Sequence, residues 1–249
     1  MSVHPTAIIE DGVQLGAGCV IHAYAVVRRG TVLGDGVAVH PFAVVGGDPN
    51  FLKFDPVTVS GTRIGAGTVI REHASINRSI YAGKDTIVGA RCYLMANAHV
   101  GHDCTVGDDV VLATNIMLGG HVDVGSHTFF GGGAGAHQFS RIGEGVMIAG
   151  LARITQDLAP FLLVAERNEV SGLNLVGLKR RGVSREAIAE LKDCYREVFA
   201  GGDPRKPAAA RLAAGVRHAE AKRFLEFFAG GKRGFARPEI LAGGADESA

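Results

Sequence analysis

Aliphatic residues recur at every sixth position over roughly the first 155 residues of the chain. One run places Val3, Ile9, Leu15, Ile21, Val27, Leu33, Val39 and Val45 in a single frame, and a second begins at Ile64, Ile70 and Ile76. A third continues through Val88, Leu94, Val100, Val106, Leu112, Leu118, Val124, Phe130, Ala136, Ile142, Ile148 and Ile154. An amphipathic helix repeats about every 3.6 residues and a half-buried strand every two, so neither holds a six-residue frame this long. The period points to a hexapeptide-repeat parallel β-helix, in which three hexads close one triangular coil and the frame residues stack into an apolar column. About 23 hexads give between seven and eight coils, a prism about 35 Å long at about 4.8 Å per rung.

A Gly often follows the frame residue, as at Gly16, Gly34, Gly65, Gly89, Gly101, Gly107, Gly119, Gly125, Gly131 and Gly143. A tight corner asks for positive φ or for close backbone approach, and Gly meets both needs. The frame breaks over 46–63, which carries two Pro, and over 77–87; both breaks read as loops thrown out from one face, where solenoids often build binding sites. After Ile154 the pattern turns helical. Ser184 is an expected N-cap, with Glu186 in the first turn and Ile188, Leu191, Tyr195 and Val198 at helical spacing. Gly201 and Gly202 end that helix, Pro204 opens another, and Val216 to Phe228 reads as a third. The expected organisation is thus mainly β: a parallel β-helix over residues 1–160, then a small α-helical C-terminal domain over 161–249 that covers the open edge of the last coil. The small polar tail from Gly243 to Ala249 is expected to be disordered.

The net charge of +1 gives no argument for a nucleic-acid surface. Its distribution is uneven: residues 1–154 hold 10 Lys and Arg against 12 Asp and Glu, whereas 155–249 hold 16 against 13. The basic excess concentrates at Lys179, Arg180 and Arg181. No basic leader or membrane-length apolar run is present, and Cys19, Cys92, Cys104 and Cys194 lack C-x-x-C spacing. They read as small buried residues of a protein in a reducing, cytoplasmic setting.

Candidate chemistry gathers between residues 97 and 139. Positions one coil apart stack on the same face, so His102, Gly120 and Gln138 form one column and Asp103, His121 and Phe139 another. An imidazole then lies beside a Gly backbone one rung away. Histidine can act as a general base near neutral pH, and a Gly N–H can approach an oxyanion without a Cβ in the way. A zinc site needs three converging imidazoles; Asn97, Asp103 and Gln138 suit acyl transfer better, and no metal ligands are assigned.

HPTAIIEDGVQLGAG, NAHVGHDCTVG, GGHVDVG, HQF and GLKRRGVSREAI closely resemble the UDP-N-acetylglucosamine O-acyltransferases that begin lipid A synthesis. The likeness covers nearly the whole chain, and NAHVGHDCTVG and GLKRRG are its most specific parts. It implies a left-handed β-helix, a homotrimer with active sites between neighbouring prisms, and a fatty acyl chain delivered on the phosphopantetheine of acyl carrier protein, with no other cofactor. It further implies His102 as the base that deprotonates the sugar 3-hydroxyl, Asp103 as its orienting partner and Gly120 as the oxyanion donor. Neighbours on an extended strand point to opposite sides, so a His102–Asp103 pair requires a corner conformation. By the same resemblance His99, His121, His137 and Gln138 surround sugar, nucleotide and pantetheine. Leu52 and Lys53 line the sugar-nucleotide site, and Asn174, Arg180 and Arg181 contact nucleotide or carrier. Gly150 aligns with the residue that sets acyl length. The chain departs from the family pattern at Phe51, Asn77, Asn168 and Val176, which leaves the acceptor open between UDP-N-acetylglucosamine and a relative such as its 3-amino analogue. Short-chain transfer from coenzyme A and a non-catalytic binding solenoid are the other readings open to a hexapeptide chain.

Overall fold

A computed structural model describes residues 1–238; the tail Gly243–Ala249 lies outside the described residues. Twenty-four short strands run from Ser2–Val3 to Leu162–Ala165, and all of them pair in parallel with the strand one coil away. They build three flat sheets, the faces of a prism. The first sheet carries strands such as Tyr93–Leu94 and Met147–Ile148, the second His99–Val100 and Met117–Leu118, the third Thr105–Val106 and Arg141–Ile142. Register across coils keeps frame residues in line: Val100 pairs with Leu118, and Leu118 with Ala136. The coil is left-handed. The right-handed crossover preference arises from twisted strands joined by long connections, and strands of two residues carry little twist.

The frame residues form the core, with Ile21, Val27, Leu94, Val100, Leu112, Leu118 and Ile148 fully or almost fully buried. A second inward position, two residues before the frame, is filled by smaller side chains such as Cys19, Ala25, Ala98, Cys104, Val122 and Ala152. All four cysteines are free and buried.

The corner glycines are present for close approach and not for their φ. None of the ten that follow frame residues has positive φ. A Cβ on Gly65 would lie 2.4 Å from Ala90 N, and one on Gly131 2.5 Å from Gly150 N. The left-handed residue comes two positions later. There the chain uses Asn97 (φ 60°), Asp103 (φ 60°), His121 (φ 61°) and Phe139 (φ 66°) as readily as Gly18 and Gly133. Asn and Asp tolerate this region best.

Both interruptions throw loops from the corner between the second and third sheets. Strands at Val44–Gly47 and Gly61–Ile64 flank the first, and strands at Ser75–Asn77 and Asp85–Val88 flank the second. The longer strands extend into the regions where the period fails.

Past Ile154 the chain departs from the expected direct passage into helix. Leu162–Ala165 adds one more parallel strand, and Glu169–Leu173 returns antiparallel to it. This hairpin, rather than a helix, pairs with the exposed edge of the first sheet. Among the described residues four α-helices follow: α1 (Leu175–Arg180), α2 (Arg185–Phe199), α3 (Arg205–Ala214) and α4 (Ala219–Glu226). Ser184 caps α2 through Ala187 N at 3.1 Å. Glu186 lies in its first turn, and Ile188, Leu191 and Val198 pack inward. Pro204 precedes α3, whereas the helix expected from Val216 begins only at Ala219, because the Arg217 and His218 N–H groups turn aside onto the Glu190 carboxylate. A cluster of Phe199, Phe224, Phe228 and Phe235 closes this small domain.

Candidate active site

His102, Asp103 and Gly120 gather at the corner between the second and third sheets. After frame residue Val100 the chain turns through Gly101 and His102 into Asp103, whose φ of 60° swings its carboxylate back toward the preceding side chain. His102 Nδ1 lies 2.8 Å from Asp103 Oδ2, and both side chains are largely buried. Facing a carboxylate, Nδ1 carries the proton and leaves the Nε2 lone pair free. One coil further on, a Cβ on Gly120 would lie 2.5 Å from His102 Cε1 and 2.6 Å from Nε2, so the ring rests in the space that a side chain at 120 would fill.

The Gly120 N–H has no acceptor among the described residues. On the corner between the third and first sheets, three of the equivalent N–H groups have acceptors one coil away. Ala17 N–H donates to Asp35 Oδ1 at 2.7 Å, Ala90 N–H to Asp108 Oδ1 at 2.8 Å and Asp108 N–H to Ser126 Oγ at 3.0 Å. At the corresponding place above Gly120 stands Gln138, which accepts nothing from it. The corner therefore holds a free imidazole nitrogen beside a free backbone donor.

A groove of ≈ 570 Å³ runs from this corner across the outer face of the second sheet, past Asn50, Asn77, His99, Met117, His137, Gln138 and Arg153. His99 is held by Ser75 Oγ at 2.8 Å. Burial first, and then the neighbouring His102, push its pKa below the usual histidine value. His121 meets His102 edge to face at 5.0 Å and stacks on Phe139 at 4.5 Å, and burial lowers its pKa as well. His137 and Gln138 are exposed on the rim, His137 Nδ1 lying 3.2 Å from the Gln138 carbonyl. His102, Asp103 and His121 bring ligand atoms within 4.8 Å of one another, close enough to share a cation. Asp103 already accepts from His102 Nδ1, Ser79 Oγ and Ile80 N, so metal binding would have to break the pair.

The loop at 48–60 leans over the groove. Its Phe51 ring lies 6.2 Å from that of His102, while Leu52 and Lys53 are exposed. The strap beneath it is Arg78, 7 % exposed, whose guanidinium donates to Asp48 Oδ1 at 2.9 Å and to the Pro56 carbonyl at 3.0 Å, and also to the Thr58 carbonyl. Asn77 helps through Nδ2 to the Asp48 carbonyl at 2.8 Å.

The other candidate residues stand apart within one chain. Asn174 caps α1 through Gly177 N at 2.9 Å and donates to the Gly145 carbonyl at 3.0 Å. Arg181 pairs with Glu144 at 2.9 Å and lies over Phe161; Lys179 and Arg180 are exposed. Gly145 and Glu144 belong to the corner between the third and first sheets, away from His102. Gly150 is exposed on the remaining corner, between the first and second sheets, beside left-handed Leu151. Asn168 is occupied in the hairpin turn, its Oδ1 accepting from Thr155 N at 2.7 Å, and Val176 is exposed on α1. Sequence reasoning missed Ser79, Ile80 and Thr86, which surround Asp103. They lie in the interrupted stretch, where no period assigns a face.

A triangular prism of hexads with a His–Asp pair at an inter-sheet corner defines a hexapeptide-repeat transferase. The sequence profile described as bacterial transferase hexapeptide (six repeats) matches residues 12–47 and 85–119. The one described as Udp N-acetylglucosamine O-acyltransferase, Domain 2, matches residues 157–236. An acyl-[acyl-carrier-protein]--UDP-N-acetylglucosamine O-acyltransferase from Anaeromyxobacter sp. (strain K) is 36 % identical over 95 % of this chain and 100 % of its own. The structure of UDP-N-acetylglucosamine acyltransferase from Campylobacter jejuni superimposes with a TM-score of 0.83 at 33 % identity, covering 95 % of this chain and 99 % of that one. The Moraxella catarrhalis UDP-N-acetylglucosamine O-acyltransferase structure gives 0.87 at 29 % identity, covering 95 % and 100 %. The chain belongs to the UDP-N-acetylglucosamine O-acyltransferase family.

Proposed function

We propose that this enzyme moves a fatty acyl chain from acyl carrier protein to the 3-position of UDP-N-acetylglucosamine, the first step of lipid A synthesis. Family membership supports the reaction, and the observation that carries it in this chain is the His102–Asp103 pair facing the unoccupied Gly120 N–H. His102 Nε2 takes the proton of the 3-hydroxyl as that oxygen bonds to the thioester carbonyl carbon. The carbonyl oxygen becomes an oxyanion, received by Gly120 N–H. Asp103 holds the ring and stabilises the imidazolium. Collapse of the intermediate breaks the C–S bond, and the phosphopantetheine thiolate takes the proton back from His102. Charges and protons balance without a metal or a further cofactor.

The assembly we propose is a homotrimer. Asn174, Arg180 and Arg181 share neither face nor corner with His102, so they reach sugar nucleotide or carrier at that groove only from a neighbouring copy. The exposed basic pair Lys179 and Arg180 suits the acidic carrier protein. No described helix is long and apolar enough to cross a membrane, and the four free thiols fit the reducing cytoplasm where carrier and nucleotide sugar would meet. Incubation with acyl carrier proteins of several chain lengths and with UDP-N-acetylglucosamine or its 3-amino analogue, read by mass spectrometry, tests the reaction. A mono-acylated UDP-sugar is expected. Product only from coenzyme A thioesters, or none at all, would overturn the reading, and product only from the amine would change the acceptor. Light scattering that showed an active monomer would refute the assembly.

A further inference from the structure

The short excursion at 78–84 grips the Asp103 carboxylate. Ser79 is fully buried, and its hydroxyl donates to Asp103 Oδ1. The Ile80 N–H donates to Asp103 Oδ2 at 3.2 Å. Thr86 Oγ1, also fully buried, accepts the Asp103 N–H at 2.8 Å and helps hold the left-handed turn. Ser79 is itself immobilised. Its N–H donates to the Gly61 carbonyl at 3.3 Å, its carbonyl accepts from Ser60 Oγ at 2.5 Å, and its hydroxyl oxygen accepts from Tyr81 N–H at 3.0 Å. The Asp103 carboxylate can only accept and lies closer to the hydroxyl than the Tyr81 carbonyl at 3.4 Å, so the hydroxyl proton goes to Asp103.

We propose that Ser79 is a positioning residue: by donating to Asp103 Oδ1 it fixes the carboxylate so that its other oxygen meets His102 Nδ1 and Nε2 points into the groove. The inference rests on the reading of His102 as the base. It also gives the neighbouring Arg78 a role in the same device, since Arg78 ties the 48–60 loop to the segment that steadies Asp103, through Ser60 Oγ at 3.3 Å among other contacts. Substrate-side loop and base are thereby built on one support.

A hydroxyl donor draws charge from a carboxylate. Without it Asp103 stabilises the imidazolium more strongly, and the acid limb of the activity profile moves to higher pH. The other groups facing His102 are unchanged by the substitution: His121 edge-on, His99 across the groove, and Asp123 with Arg141 beyond His121. The test uses Ser79→Ala and Ser79→Thr in the full-length protein. Ser79→Ala is expected to lose about tenfold in kcat, the scale of one hydrogen bond to a charged group. KM for both substrates should stay within about twofold and the acid limb should move up, while Ser79→Thr, which keeps the hydroxyl, restores both. Nuclear magnetic resonance of ¹⁵N-histidine protein reads the same effect without turnover: the His102 ring should titrate at higher pH in Ser79→Ala. An unchanged His102 titration and tautomer in a folded Ser79→Ala protein would overturn the inference. Absence of acyl transfer in the wild type would instead refute the functional reading, and the resonance measurement would still decide the role of Ser79.

Discussion

Replacing Gly120 with alanine tests the geometry of the site without touching a titratable group. Gly120 does not have positive φ, so alanine can adopt its backbone conformation. The new methyl would stand 2.5 Å from His102 Cε1, 2.6 Å from Nε2 and 3.1 Å from Nδ1. Ordinary contact begins at 3.4 Å, so the ring must retreat by about 0.9 Å. Retreat pulls Nδ1 off Asp103 or carries Nε2 away from the Gly120 N–H, and a misplacement of about 1 Å at a reacting group costs about 10²-fold in rate. All three atoms belong to the His102 side chain and none to the backbone, so the strain falls on the ring and not on the coil. Gly107→Ala is the control. There the Cβ meets Ser126 N at 2.7 Å on a corner far from His102, and the cost falls on stability. Initial rates of acyl transfer and thermal unfolding, measured on both variants, separate the two effects. The expected result is about a hundredfold loss of kcat for Gly120→Ala with Tm within a few degrees of wild type, and a lowered Tm with near-normal kcat for Gly107→Ala. A Gly120→Ala enzyme retaining more than about a third of wild-type turnover would refute the proposed packing of base against oxyanion donor.

Gly150→Met should shift acyl preference toward shorter chains, because in the proposed assembly the added side chain would enter the groove between copies, where each excluded methylene costs about 0.8 kcal/mol; an unchanged chain-length profile shows that another residue ends the groove. Arg180→Ala should weaken carrier binding and flatten its dependence on salt, whereas Arg181→Ala, which strips Glu144 of one of its two arginine partners, should also lower Tm; equal salt dependence in Arg180→Ala places the docking charge elsewhere. Glu190 has its pKa lowered to about 2, first by the Arg217 N–H and also by His218. A depressed carboxylate contributes stability that is present above its unfolded value and lost as pH falls toward about 2, so urea unfolding of wild type and Glu190→Gln should converge between pH 4.5 and pH 2; a constant difference over that window refutes the pairing.

The prism was legible because its core is one-dimensional: each frame residue meets the residue one coil away, so a linear period records the packing directly. The same arithmetic located His102 beside Gly120 and His121 beside Phe139. Its limit is the corner. Spacing alone could not separate the two reasons for Gly, and only the backbone shows that Gly101 and Gly119 answer close approach while Asp103 and His121 take the left-handed turn. The hairpin at 162–173 was hidden because its second strand, Glu169–Leu173, pairs with a single neighbour and follows no six-residue frame. Ser79 and Thr86 were hidden for a related reason. Contacts made by an interrupted stretch depend on loop closure, which leaves no periodic trace. Asn174, Arg180 and Arg181 stand apart from His102 within one chain; the proposed assembly would bring them together only between copies, a property no single-chain period encodes.

The central claim is that His102 is the base for acyl transfer. The direct measurement is the rate of acylated UDP-sugar formation by purified wild type and His102→Ala, followed by mass spectrometry with matched acyl carrier protein, alongside light scattering and circular dichroism of both proteins. The account predicts an intact assembly with turnover reduced by about 10²–10⁴-fold. A folded, assembled His102→Ala protein that keeps more than about a third of wild-type turnover would contradict it.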